Sequence, residues 1–125
     1  MSDAIKLAPV TVECPDAPGL ASFYSTITGG SVAFADEGWA EVEGPNGAID
    51  FQSAPGYLPP KWPDSASSMQ MHLDFIVDDL DAAETRVLLA GATKYDFQPN
   101  EHCRVYADPA GHPFCLSLAG SVAET

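Results

Sequence analysis

The chain has 125 residues, 46% of them apolar and 18% charged, a composition that buries a core rather than staying disordered or forming fibres. Five basic residues against 18 acidic ones leave a formal net charge of −13, which repels phosphate backbones and anionic lipid and argues against nucleic-acid or membrane partners. No apolar run reaches the ~18 residues of a membrane span, and the N-terminus lacks the basic start and apolar stretch of a signal peptide.

Three cysteines, Cys14, Cys103 and Cys115, cannot all pair within one chain, and so sparse and odd a count suits a reducing cytoplasm. In chain order, Ile5–Glu13 is β-rich and half alternating, which predicts a strand. Asp16 is placed to cap a helix, with Pro18 in its first turn. Leu20, Phe23, Tyr24 and Ile27 recur at three- and four-residue steps as its apolar stripe, and Gly29-Gly30 ends it. Three short strands are expected next at Ser31–Ala35, Trp39–Glu43 and Ala48–Gln52, separated by hairpin-like turns. Residues 53–68 are rich in Pro, Ser and Gly and read as a linker, yet they carry Tyr57, Leu58 and Trp62. Three large apolar groups imply that this linker is anchored on a module edge, over a cleft or on a partner subunit.

The grammar then repeats. Met71–Val77 predicts a strand and Asp78 or Asp79 caps a helix. Leu80, Ala83, Val87 and Leu88 form the stripe of that helix, and Gly91 ends it. Thr93–Phe97, Cys103–Ala107 and Pro113–Leu118 complete the set. Cys14 lies over Val77 (77 − 14 = 63), Gly29 over Gly91 (91 − 29 = 62), and Gly44-Pro45-Asn46-Gly47 over Asp108-Pro109-Ala110-Gly111 (108 − 44 = 64). Ordered landmarks at nearly one spacing imply a duplicated module. Module one spans 5–52 and module two 69–119 of a single domain.

The order βαβββ, twice, resembles the vicinal oxygen chelate superfamily, and its glyoxalase-like members in particular. Phe23-Tyr24 before Gly29-Gly30, His72-Leu73-Asp74-Phe75-Ile76-Val77-Asp78-Asp79-Leu80-Asp81-Ala82-Ala83, and Asp108-Pro109-Ala110-Gly111-His112-Pro113-Phe114 carry the likeness. The resemblance implies an α+β fold of two tandem modules forming a cup-shaped sheet, of the glyoxalase/bleomycin-resistance type. It also implies a homodimer, and a divalent metal on four ligands, two per module, one each on the first and last strands. Such an ion polarises substrate oxygens as a Lewis acid.

Laid on this chain, the ligand pattern gives His72 on the first strand of module two, with Pro9 as its mate (72 − 63 = 9). Proline has no side-chain donor. The last-strand position of module two is Cys115; its mate is Phe51 at an offset of 64 (115 − 64 = 51), or Asp50 after a slip of one. Too few ligands remain for a catalytic ion. The expectation is a degenerate metal site with no resident cofactor, a divalent metal being the alternative.

Strand alternation puts His72, Asp74 and Ile76 on one face and the apolar Leu73, Phe75 and Val77 on the other. His72 is thus a candidate general base lining the cup, or a structural histidine bonded to a strand neighbour. Glu13, the mate of Ile76 (76 − 63 = 13), faces the same way or is a solvated strand end. Cys115 reads as a small packed group or a nucleophile. Arg104, expected opposite Cys115, would suit an anionic ligand or pair with a surface acid. Trp39, Phe51, Gln52, Tyr57 and Trp62 are candidate lining for a flat organic molecule, against a core reading for the strand aromatics. His102 and His112 read as strand-start and turn residues, and the Asp78-Asp79-Asp81 cluster as a helix start.

The function expected is a cytoplasmic small-molecule-binding protein. Its alternatives are a lyase, isomerase or dioxygenase using His72, or an antibiotic-sequestering protein.

Overall fold

The structure, a computed structural model, describes residues 3–64 and 68–119; residues 65–67 of the expected linker lie outside it. The chain divides into two compact units between Tyr57 and Leu58.

In the first unit, β1 (Val10–Cys14), α1 (Ala17–Thr28), β2 (Ser31–Ala35), β3 (Trp39–Gly44) and β4 (Gly47–Ser53) follow one another. The sheet order is β1-β4-β3-β2, with β1 parallel to β4 and the other pairs antiparallel. The second unit repeats this with β5 (Leu73–Val77), α2 (Leu80–Ala90), β6 (Thr93–Lys94), β7 (Cys103–Ala107) and β8 (Pro113–Leu118), in the order β5-β8-β7-β6. The duplication is therefore structural as well as textual. Among the described residues no helix is long and apolar enough to cross a membrane.

Both helices start where the sequence placed them. The Asp16 carboxylate accepts from the Gly19 amide at 3.1 Å, and Asp79 accepts from the Asp81 and Ala82 amides at 2.9 and 3.1 Å. Gly29, at φ 76°, closes α1 with its amide on the Ser25 carbonyl. Leu20, Phe23 and Tyr24 are buried, and Tyr24 stacks on Phe51 at 5.5 Å between ring centroids. α2 is held more by polar bonds than by burial, since only Val87 is buried and Leu88 is exposed. Tyr106 donates to Glu84 Oε1 at 2.8 Å, and Lys94 and Arg104 pair with Glu84 and Asp81.

Three expected strands are shorter than the sequence suggested. β1 starts at Val10 because Pro9 offers no N–H to a ladder, and Ile5 and Leu7 stay exposed. β5 starts at Leu73, with Met71 exposed. β6 stops at Lys94, and the Gln98 side chain takes over the pairing. Its amide nitrogen donates to the carbonyls of Tyr95 and Val105 at 2.8 and 3.0 Å, and its oxygen accepts from the Val105 amide at 2.9 Å.

The linker splits between the units. The Ala54 amide bonds the Cys14 carbonyl in the first unit. In the second, Pro59 lies on Gly111, where an added Cβ would come within 2.8 Å of Pro59 Cβ.

Candidate functional site

Cross-strand partners share a face, so the register sorts the second unit directly. Leu73, Phe75, Phe114, Leu116, Arg104 and Tyr106 lie on one side. That side meets α2, because Tyr106 and Arg104 bond its acids. Asp74 pairs with Cys115, Cys115 with Val105, and Ser117 with both Cys103 and Ile76 on the other side. His72 continues the alternation onto that side, its Nε2 lying 3.2 Å from Asp74 Oδ1.

On this helix-free face Cys103, Val105 and Cys115 form a buried apolar cluster. Trp62, Met69 and Tyr95 pack against it, and Trp62 meets Tyr95 edge-on at 4.8 Å. An expected linker residue is thus a fixed wall of the face. His72 and Asp74, on the same face, have side chains 30% and 32% exposed. Donor atoms of His72, Asp74 and Cys115 all lie within 4.8 Å of one another. Burial pushes the Cys115 thiol well up from its ordinary pKa, and the Cys103 and Asp74 side chains bonded to it add to the shift. At neutral pH it is a thiol, not a nucleophilic thiolate. Ser117 Oγ is fully buried with no hydrogen-bond partner among the described residues.

In the first unit, Phe51 and Ala40 face α1, while Thr11, Glu13, Trp39, Glu41, Asp50 and Gln52 share the opposite face. Glu41 is held above the usual carboxylate range, chiefly by its hydrogen bond to Asp50. Asp50 Oδ1 is buried with no hydrogen-bond partner among the described residues.

Two sequence expectations need correcting, and one cause accounts for both. Gly44 and Gly47 close a two-residue turn, whereas Ala107 and Pro113 close a longer loop in which His112 is one residue beyond the matched Asp-Pro-Ala-Gly turn. The offset between β4 and β8 is therefore 65, and the mate of Cys115 is Asp50 (115 − 65 = 50), as their partners Asp74 and Thr11 require (74 − 63 = 11). Phe51 points to α1 and does not line the open face. Arg104 pairs with Leu116 rather than Cys115, so it too faces the helix, where its Nη2 bonds Asp81 at 2.9 Å.

The remaining candidates fall into two groups: Glu13, Trp39 and Gln52 in the first unit, and Trp62, His72, Asp74 and Cys115 in the second. The expected ligand set, His72 with Cys115 or Asp50, left out Asp74, which lies with His72 and Cys115 in a group of possible donors. His102 and His112 serve backbone geometry: the His102 amide donates to Asn100 Oδ1 at 2.8 Å, and the His112 amide to Asp108 Oδ1 at 3.0 Å. Met69, Tyr95, Cys103 and Ser117 were not expected at the site. The alternation of β7 and β8 could have found the last two, since Cys103 shares the parity of Val105 and Ser117 that of Cys115.

Solved structures reproduce this fold. A glyoxalase/bleomycin resistance protein/dioxygenase family enzyme from Burkholderia phytofirmans PsJN matches with TM-score 0.69 at 17% identity, covering 91% of this chain and 98% of that one. A glyoxalase-related enzyme from Fulvimarina pelagi gives 0.67 at 18%, covering 92% and 88%. The oxidase ChaP-H2 gives 0.65 at 24%, covering 91% and 93%. No curated protein matches the sequence. The Glyoxalase-like domain family matches residues 9–117, and with the doubled βαβββ fold this means that the chain belongs to that family.

Proposed function

We propose that the chain is a small-molecule-binding glyoxalase-like protein whose inherited four-ligand metal site is degenerate. The organic ligand rests on the helix-free face of the second unit, its flat apolar part against Trp62 and Tyr95 and its polar end toward His72 and Asp74. One observation carries this reading: a tryptophan from the linker packs against the buried cluster that includes Cys115, whose sulfur lies within 4.8 Å of the donor atoms of a partly exposed His72–Asp74 pair. Aromatic wall plus a few polar groups is the usual composition of a small-ligand site. What speaks for a degenerate four-ligand pattern is Pro9, the mate of His72, which has no side-chain donor.

A second reading, an acid/base lyase or isomerase, is favoured by the 3.2 Å contact between His72 and Asp74, which would fix the imidazole for proton transfer. An antibiotic-sequestering role rests on acidity alone and is kept only as an outcome of the test.

Fluorescence of the Trp39→Phe variant isolates Trp62 as reporter. A panel of aromatic acids, aldehydes, quinones and cationic drugs is titrated into it. Saturable quenching whose affinity falls in Asp74→Ala supports the reading, and cationic hits alone support sequestration. No saturable response across the panel refutes both. Turnover of a bound carbonyl compound that His72→Ala abolishes establishes the second reading.

A further inference from the structure

We propose that residues 95–100 are a hinged lid on the aromatic wall of the second unit, latched at its middle by one side chain, Gln98, to the outer edge of β7. Its use as a gate rests on the small-molecule reading, whereas the lid itself is tested without any ligand.

The backbone comes first. Lys94, the last residue of β6, is a register partner of Tyr106, and the next strand begins only at Cys103. The Cys103 and Val105 amides point away from β8, toward the place a longer β6 would fill. Buried backbone groups need partners, and side chains supply them here. Asn100 Oδ1 accepts from the His102 and Cys103 amides at 2.8 and 2.9 Å, which pins the far end of the segment. Between Lys94 and Asn100, the Gln98 carboxamide works in both directions. Its nitrogen donates to the Val105 carbonyl at 3.0 Å and its oxygen accepts from the Val105 amide at 2.9 Å. The same nitrogen also donates to the Tyr95 carbonyl at 2.8 Å, which folds the segment onto its own latch. The Tyr95 amide reaches the Val105 carbonyl at 3.3 Å, longer than an ordinary ladder bond, and Pro99 has no N–H to add another. A segment held between two pinned ends by one carboxamide opens locally while β7 and β8 stay paired.

The cargo of the segment gives the opening its use. Tyr95 meets Trp62 edge-on at 4.8 Å and packs on the buried Cys103–Val105–Cys115 cluster. Phe97 lies 5.9 Å from Trp62 and is 54% exposed. Two ring neighbours of Trp62 thus ride on one short stretch of chain. A flat ligand that stacks on Trp62 takes the place of one of them, so it binds the lifted state and draws the population toward it. Gln98 is the positioning residue that sets how often that state is reached.

The test is amide hydrogen exchange, read residue by residue by NMR on the full chain in low urea. In the unaltered protein the Val105 amide exchanges through a local opening that hardly responds to urea. The Arg104 and Tyr106 amides, which alternate toward β8, exchange more slowly and speed up with each urea step. Gln98→Met fills the same space without hydrogen bonds, and Gln98→Glu keeps the acceptor but loses the donor. In both, Val105 exchanges within ~10-fold of the unfolded-chain rate while Arg104 and Tyr106 stay protected at least ~100-fold. With Trp39→Phe added, Trp62 is the single tryptophan. Acrylamide, a neutral quencher that the acidic chain does not repel, then quenches it at least ~2-fold more strongly in both Gln98 variants. A Val105 rate with the urea dependence of Arg104 and Tyr106 in the unaltered protein overturns the proposal. So does a Val105 amide still protected in both variants, or unchanged Trp62 quenching in both. These readouts contain no ligand, so a lid that passes them in a chain that binds nothing refutes the small-molecule reading alone.

Discussion

Replacing Tyr106 by Phe removes one hydroxyl and little else. The ring is fully buried and stacks on Phe114 at 5.5 Å, a contact that phenylalanine keeps. What is lost is the 2.8 Å bond to Glu84 Oε1, a carboxylate that also receives Lys94 at 2.8 Å and Arg104 at 3.5 Å. A hydrogen bond to a charged partner contributes about 1.5–3 kcal/mol. The Glu84 side chain is 24% exposed, so water replaces part of the lost bond and the loss falls around the bottom of that range, about 1–2 kcal/mol. For a domain of this size that lowers Tm by roughly 3–8 °C.

The effect carries a pH signature. Lys94 first, and Tyr106 second, hold the Glu84 carboxyl below its ordinary value of 4.5. A group with a depressed folded pKa stabilises the fold above its unfolded pKa and loses that contribution as pH falls through the folded one. The gap between wild type and Tyr106→Phe is therefore full at pH 7 and shrinks below about pH 4.5. Urea unfolding of both proteins across pH 3–7, with the slope unchanged, measures it. A midpoint loss under ~0.5 kcal/mol at pH 7, or a gap that does not shrink with acid, refutes the reasoning.

Other substitutions test the remaining elements. Gly111→Ala forces a side chain onto φ 90° and a Cβ to within 2.8 Å of Pro59, so it lowers stability by about 1–3 kcal/mol in urea unfolding; a neutral result means that Pro59 does not lie there. Asp79→Ala leaves the Asp81 and Ala82 amides without their acceptor and costs about 1 kcal/mol, whereas Asp78→Ala stays within ~0.5 kcal/mol; reversed values would put the cap one residue earlier. The buried, upward-shifted Cys115 thiol resists iodoacetamide at pH 7.5 in the native protein and reacts in urea, as read by mass spectrometry; native labelling within minutes contradicts its burial. Phe51→Ala removes a fully buried ring stacked on Tyr24 and costs about 3–5 kcal/mol; a cost near zero would return Phe51 to the open face.

The sequence alone determined what local physics controls. Asp16 and Asp79 announce helix starts because a carboxylate satisfies amides that nothing else can reach. β2, β7 and β8 have the bounds read from their apolar runs and turns, and the repeat of those signals gave the duplicated module. The site was legible only in its simplest part. His72 and Asp74 share a face because alternation within one strand has a period of two.

Tertiary structure decided everything that depends on register between strands. One added residue, His112 in the loop before β8, turned Arg104 toward α2 and made Asp50, rather than the core residue Phe51, the match of Cys115. A turn motif fixes where a loop is, not how many residues leave the ladder there, and a slip of one reverses every side chain on a strand. The anchoring of Trp62 on Tyr95, and Gln98 standing in for a strand, join residues far apart in the chain or depend on a side chain acting as backbone. Neither leaves a periodic trace in sequence, because packing and pairing of this kind arise only once the sheet exists to receive them.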